Sequence, residues 1–380
     1  MKPILYPLLA CLLLVCAQAV SAEESPVVPP PPKIDAKGYL LTDFATGSVL
    51  AAANADERLE PASLTKIMTA YVIYRALAEG RVKLTDEVLI SENAWRTGGS
   101  KMFVEVGKRV GMEDLLKGMI IQSGNDASVA LAEHVAGSEQ TFAELMNAHA
   151  KRLGMNNSHF TNATGLPDPE HYTTARDMAA VTAALILEFP DYYVWDGTKE
   201  FEYNGIKQQN RNRLLWRDPT VDGVKTGYTQ NAGYCLVASA KREDMRLISV
   251  VMGTSGPEAR AQASLELLNY GFRFYESHRL YAAETPVENL RVWMGDEQEL
   301  PVGPAHDVVA TIPRGRYGQL SARLEKTPEL KAPIAKGARI GDIVVNLEDQ
   351  ELLRVPLVAL QEVAQGSLWQ RAWDGVLLWF

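Results

Sequence analysis

Cysteine is nearly missing from this chain: there are three in 380 residues, Cys11, Cys16 and Cys235. The first two fall in an N-terminal apolar segment read below as a removable leader. A mature chain then keeps Cys235 alone and forms no internal disulfide. Cys235 lies in the strand-like run GYCLVASA, where it reads as a small buried hydrophobe and not as a nucleophile. Histidine is also sparse. His134, His149, His159, His171, His278 and His306 form no His-Glu-x-x-His and no tight pair, which removes the zinc peptidases and leaves no metal site to expect. Basic excess is lacking too. With 38 Lys and Arg against 47 Asp and Glu, the formal net charge is −9, so no basic excess exists to neutralise a run of phosphates; this argues against nucleic acid as a partner but leaves room for a local cationic pocket. Internal repeats are absent.

What remains is ordinary globular text, 47% hydrophobic and 22% charged, long enough for two domains. Residues 1–22 read as a signal peptide: Lys2, the apolar LLACLLLV, and AVSA with cleavage after Ala22; the alternative is an uncleaved membrane anchor, since 3–22 carries no charge, but the apolar core is shorter than a span needs. Residues 23–34, EESPVVPPPPK and the next residue, read as an extended proline-rich linker without a core of its own. Residues 35–280 mix helix and strand signals. Two strands flank a turn at Thr46-Gly47, a helix opens at Ser63 and stops at Gly80, and another runs through DASVALAEHVA to Gly137, with Asp126 as its expected cap. GYCLVASA and MRLISVVMG form a hairpin, and ARAQASLELLNYGFRFYE forms a helix that covers it. This is an α+β domain with an antiparallel sheet. From 284 to 362 the text becomes short strands (LRVWM, DVVATI, QLSARL, IGDIVVNL, LLRVPLV), which predicts a small all-β sandwich.

Three short motifs carry chemistry. PASLTK puts Ser63 and Lys66 three residues apart, on one face of a helix that is apolar nearly all round. A desolvated lysine gives up its charge, and a neutral amine beside a hydroxyl is a general base next to a nucleophile. The same spacing also describes an N-cap serine with a lysine that snorkels to solvent. The second motif, Ser123-Gly124-Asn125, interrupts an apolar run just before a helix, as an ordinary turn also would. The third is Lys225-Thr226-Gly227. A phosphate loop would need a glycine where Val224 stands and a helix where strand text follows, so no nucleotide site is expected. On a strand, Gly227 lets a ligand lie against the backbone.

Taken in order and at domain-scale separation, Ser-x-x-Lys, Ser-Gly-Asn and Lys-Thr-Gly are similar to the signature of the penicillin-recognising serine enzymes. The chain resembles the low-molecular-mass penicillin-binding proteins of the D-alanyl-D-alanine carboxypeptidase family over nearly everything after the linker. LTDFATGSVL, TARDM, NRNRLLW, GYCLVASA and LLNYGFRFYE belong to the same resemblance. The resemblance implies that Ser63 is the acylated nucleophile, Lys66 its base, and Ser123 the proton relay to the departing D-alanine. It implies that Asn125 holds the peptide by its amide, and that Lys225 and Thr226 bind the terminal carboxylate, with Gly227 beside them. The backbone N–H groups of Ser63 and Tyr228 would form the oxyanion hole. Arg260 falls on a carboxylate-pocket position, though its text also reads as a solvated helix charge. Arg211 and Asp177 fall on positions that shape the site, and RTGGSKMF (96–103) is a loop beside it. Tyr228 stands where some members carry histidine, which bears on the deacylation rate and not on the reaction type.

The resemblance implies no cofactor. Its expected partners are peptidoglycan stem peptides ending in D-Ala-D-Ala and β-lactam antibiotics. Two other readings stand beside it. A serine β-lactamase needs a carboxylate to activate water, and Glu144, the nearest decoy, sits in apparent surface helix. A catalytically idle scaffold would act through its β domain. The tail, residues 363–380, forms an amphipathic helix. On a wheel, Leu368, Trp369, Ala372, Trp373, Val376, Leu377, Trp379 and Phe380 share one half, with only Leu378 out of place on the other. Such a helix lies in a membrane surface without spanning it, unless it docks on its own second domain. With the leader, it places the protein in the periplasm on the outer face of the inner membrane.

Overall fold

The computed structural model describes residues 28–378. The expected leader (1–22) with Cys11 and Cys16, the linker through residue 27, and Trp379 and Phe380 of the tail wheel lie outside the described residues. An α+β domain comes first, built on a five-stranded antiparallel sheet. Its spatial order is Val49–Ala53, Gly38–Asp43, Met245–Thr254, Gly233–Arg242, Val221–Thr229. Both faces of the sheet are covered, so its strands read as nearly continuous apolar runs. Cys235, Val237, Ile248 and Val250 join the core under the main helical layer. Their neighbours Leu236, Ala238, Leu247 and Val251 join a second core under the helix Pro257–Phe274. Val221–Thr229 ends the sheet, so among the described residues one of its edges has no strand beside it.

The helix Thr65–Ala78 runs through the middle of the helical layer, and every residue from Thr65 through Tyr74 is buried. It offers no solvent-facing stripe to which Lys66 can turn. The second expected helix is Asn125–Ala136, stopped by Gly137 at φ 80°. Asp126 does not cap it. Gly124 holds the N-cap position, and the Asp126 carboxylate accepts N–H bonds from Met102, Phe103 and Val104. The aspartate therefore pins the 96–103 loop to the helix start instead of closing the helix. The linker residues from Val28 on are not free of a core either. Val28 and Ile34 pack against the second core, and the Tyr270 hydroxyl donates to the Pro29 carbonyl at 2.9 Å.

The all-β region has a six-stranded sheet, ordered Leu320–Lys326, Arg339–Leu347, Gln350–Ala359, Glu299–Pro304, Glu288–Trp293, Leu330–Lys331, and its own core of Val292, Leu300, Val302, Ile343, Val345 and Leu357. A separate two-stranded sheet pairs Tyr275–Tyr281 with Val308–Pro313. The covering helix thus ends at Phe274, where LLNYGFRFYE alone would extend it. Arg314, forty residues on in the fold's other half, donates to the carbonyls of Phe272 and Tyr275 and terminates it. The buried carboxylate of Asp43 joins the two halves: it accepts the Thr46 N–H and the Ser277 hydroxyl, the latter at 2.8 Å. The tail helix, Leu368–Leu377, opens with a capping box between Ser367 and Gln370.

Candidate active site

Ser63 sits in the tight turn Ala62–Leu64 that feeds the buried helix. Ala62 takes φ 47°, a left-handed conformation that a residue with a Cβ adopts only when its surroundings hold it there. One turn later Lys66 is 1% exposed. Its Nζ lies 3.1 Å from Ser63 Oγ, 2.7 Å from Asn125 Oδ1 and 2.8 Å from the carbonyl of Thr164. Asn125 Nδ2 donates to the Gly98 carbonyl, so the amide oxygen must be the atom that faces Lys66. Two of the three partners can then only accept. A neutral amine spends its two N–H bonds on them and turns its lone pair to Ser63 Oγ, the only partner that can donate. Burial, reinforced by the charge of Arg211, brings the Lys66 pKa down to about 7.

Ser123 occupies the left-handed region at φ 67°, φ 67° being the cost of bringing its hydroxyl under the cleft. Lys225 Nζ donates to that hydroxyl at 2.9 Å and to the Thr226 carbonyl at 3.2 Å. Burial, then the charges of Lys66, Arg211 and Arg260, hold the Lys225 pKa well below the usual lysine range. An arriving carboxylate reverses part of that push and favours the protonated form.

Ser63, Ser123, Asn125, Thr226, Gly227, Tyr228, Arg211 and Arg260 line one cleft of about 490 Å³, with Lys66 and Lys225 hydrogen-bonded into its floor. Arg260 is no solvated helix charge. It is 8% exposed, donates to the carbonyls of Gly227 and Cys235, and stands over the Tyr234 ring. Burial lowers its pKa to about 10. Gly227 makes room for the chain itself, not only for a ligand: a Cβ there would meet the Pro61 carbonyl at 2.9 Å and press on the Ser63 turn. Both ends of the Asn125 amide are engaged, by Lys66 and Gly98, so in this state Asn125 positions the lysine and the 96–103 loop. Asp177 lies apart from the cleft lining, accepting from Asn157 N–H and the Ser158 hydroxyl at the root of the 157–172 loop. Cys235 is fully buried, and burial raises its thiol to about 11. Tyr228 is half exposed and stacks on Tyr234, with ring centroids 4.3 Å apart.

Sequence reasoning missed the loop that closes the lysine cage. Asn162 Oδ1 accepts from Thr164 N–H, Thr164 hydroxyl and Gly165 N–H, knotting the loop so that the Thr164 carbonyl points at Lys66. Gly165, at φ 82°, lies so close to Ala62 that any Cβ would overlap its carbonyl. His171, set aside as a metal ligand, instead holds the loop to the helix. Burial lowers its pKa to about 4, so the ring is neutral; Nδ1 accepts from Thr161 N–H and Nε2–H donates to Thr65 Oγ1. A carbonyl and a neutral histidine leave no periodic or charge signal in the text. Among the described residues no carboxylate lines the cleft, and Glu144 stays on an exposed helix face.

Comparison with known proteins shows the family. A family model described as D-alanyl-D-alanine carboxypeptidase matches residues 24–256, and one for the C-terminal domain of penicillin-binding protein 5 matches residues 275–365. D-alanyl-D-alanine carboxypeptidase DacC of Escherichia coli is 45% identical over 379 residues, covering 98% of this chain and 94% of the relative. The crystal structure of penicillin-binding protein 5 from Haemophilus influenzae superposes with a TM-score of 0.85 at 42% identity, over 89% of this chain and 100% of that one. Penicillin-binding protein D2 of Listeria monocytogenes, in its ampicillin-bound form, superposes at 0.60 with 27% identity, over 64% and 100%. With an α+β domain carrying the serine–lysine cleft and an all-β domain behind it, the chain belongs to the D-alanyl-D-alanine carboxypeptidase family of penicillin-binding proteins and is a serine-type carboxypeptidase.

Proposed function

We propose that the carboxypeptidase reaction runs through an acyl-enzyme on Ser63, with Lys66 as a neutral base. The observation that carries this reading is the lysine cage: two acceptor-only partners leave the Nζ lone pair to the Ser63 hydroxyl. Lys66 takes the Ser63 proton as Oγ bonds to the carbonyl carbon between two D-alanines. The C–N bond breaks, and the proton reaches the departing amine through Ser123, whose hydroxyl is fixed by Lys225. Water then gives its proton to Lys66 and its oxygen to the acyl carbon, and Ser63 recovers its hydrogen.

The substrate lies along the open edge of Val221–Thr229, where a peptide adds as a further strand. Its terminal carboxylate meets Lys225, Thr226 and Arg260. The N–H of Ser63, in the first turn of a helical segment without an internal acceptor, and that of Tyr228 face the developing oxyanion. A β-lactam amide presents the same carbonyl and carboxylate, so β-lactams acylate Ser63 as well. The β-lactamase alternative has no carboxylate in the cleft to support it, and water activation falls to Lys66.

The tail helix supports membrane attachment. Asp374 accepts the Met294 N–H and thereby ties the polar face to the second domain, while Leu368, Trp369, Trp373 and Val376 stay more than half exposed. The docked alternative would turn that apolar face inward. Burying it in a lipid headgroup boundary contributes on the order of 5–10 kcal/mol before ordering is subtracted. Among the described residues no helix is long and apolar enough to cross a membrane. We assign the protein to the periplasmic face of the inner membrane, reached through the leader at 1–22.

Three measurements follow. The rate of Ser63 acylation by benzylpenicillin rises with pH through an inflection near 7, because the neutral amine is the active form. Arg211→Gln removes a charge that lowers the Lys66 pKa, so the inflection moves upward; a flat profile or a downward move contradicts the base assignment. A peptide ending in D-Ala-D-Ala releases D-alanine, whereas its C-terminal amide loses about tenfold or more in kcat/KM, a loss that Lys225→Ala abolishes. Equal cleavage of acid and amide by the native enzyme removes the carboxylate pocket. Deleting residues 366–380 moves the enzyme from the membrane to the soluble fraction with Ser63 acylation unchanged. Continued sedimentation with membranes places the anchor elsewhere, and unfolding favours the docked helix.

A further inference from the structure

A second cavity, about 540 Å³, opens beside the catalytic cleft and shares Arg211 and Arg260 with it. The shared arginines place it on the side where the substrate's terminal residue sits. Its other walls include Arg213, Arg217 and Trp216. Four guanidinium groups thus face one space. Against them stands one carboxylate, Glu258, which holds Arg217 through both oxygens at 2.5 and 2.6 Å and reaches Arg213 at 3.5 Å. Arg211 has no hydrogen-bonding or ionic partner among the described residues. Trp216 leaves nearly half its surface open and offers a flat apolar wall.

The backbone that carries these arginines is fixed. Asn210 Nδ2 donates to the carbonyls of Asp196 and Thr198, and its oxygen accepts the Asn212 N–H. Fully buried Asn212 in turn donates to the Gly223 carbonyl and accepts from Leu214 N–H. Arg211 and Arg213 flank that anchored residue and cannot drift far from the cleft. Nothing in the hydrolysis of D-Ala-D-Ala uses the space, because the methyl group of a leaving D-alanine does not reach across it.

We propose that the cleft continues into this arginine-lined cavity as a subsite for the side chain of the leaving residue, and that it takes a D-amino acid with a second carboxylate. The inference rests on the carboxylate assignment of the preceding subsection: with the α-carboxylate of the leaving residue at Thr226 and Arg260, its Cα substituent lies at the cavity mouth. The methylenes of an acidic side chain pass along Trp216, and its carboxylate meets Arg211 and the Arg213–Arg217 pair. The bond broken is the same peptide bond, and water still supplies the oxygen to the acyl carbon and a hydrogen to the departing amine. Glu258 orients two of the arginines and competes with the incoming carboxylate for them.

The test uses the full-length enzyme and three peptides that differ only in the last residue: D-Ala-D-Ala, D-Ala-D-Glu and its uncharged isostere D-Ala-D-Gln. The expected result is a kcat/KM for D-Glu about five- to tenfold above that for D-Gln at low salt, shrinking as salt is raised. In the Arg213→Ala/Arg217→Ala variant this ratio falls to about one, while D-Ala-D-Ala turnover and benzylpenicillin acylation stay at the native level. Glu258→Gln, approaching from the opposite side, raises the ratio. If native enzyme cleaves D-Ala-D-Ala normally but treats D-Glu and D-Gln alike, or if the preference survives the double substitution, the subsite is overturned and the carboxypeptidase reading stands. If D-Ala-D-Ala itself is not cleaved, both fall together.

Discussion

Everything in the cleft depends on where one lysine puts its lone pair. Lys66 has three neighbours within hydrogen-bonding distance, and two of them, the Asn125 amide oxygen and the Thr164 carbonyl, cannot donate. A charged amine satisfies all three as a donor. A neutral amine satisfies them only if Ser63 donates its proton toward Nζ, which is the arrangement that starts acyl transfer. Burial makes the neutral state accessible near physiological pH, and the nearby guanidinium of Arg211 pushes in the same direction. The cage and the desolvation are therefore two parts of a single device.

The fold exists in large part to hold that device together. Ser63 comes from the turn that feeds a helix buried through Tyr74, Lys66 from the first turn of that helix, Asn125 from the start of another, and Thr164 from a knotted loop pressed onto the first. Close approach requires glycine at two places. Gly227 lets the open-edged strand lie against the Ser63 turn, and Gly165 lets the loop lie against Ala62. The same strand brings Lys225 to Ser123, so the proposed base, relay and carboxylate pocket share one frame. Arg260 completes it from a helix on the far face of the sheet, reaching the Gly227 carbonyl through the sheet's edge.

Much of this was legible in the sequence, for physical reasons. Ser63 and Lys66 stand out because i, i+3 spacing places them on one face of a helix with no polar side, although that motif alone fits an N-cap serine and a snorkelling lysine equally well. The antiparallel sheet and its covering helix were legible from strand runs and turn residues, and the three motifs together pointed to the family. The rest depends on contacts distant in the chain. The Thr164 carbonyl carries no residue-type signal, and His171 was weighed only as a metal ligand because its neutral, loop-holding role depends on burial. Asp126 reads as a cap until the 96–103 loop is seen lying over it. The end of the covering helix is set by Arg314, about forty residues later. The strand Glu299–Pro304 was missed because Pro301 and Pro304 argue against sheet.

The central claim is that Lys66 rests in the free enzyme as an amine poised to lose its proton near neutrality. The most direct measurement is a pH titration of the Lys66 side chain by NMR, using carbon-13-labelled lysine and assigning the signal by its loss in Lys66→Met. The account predicts a titration centred near 7 in the unliganded enzyme, well separated from the surface lysines. A Lys66 signal that titrates with those lysines, near the ordinary value of about 10.4, would contradict it.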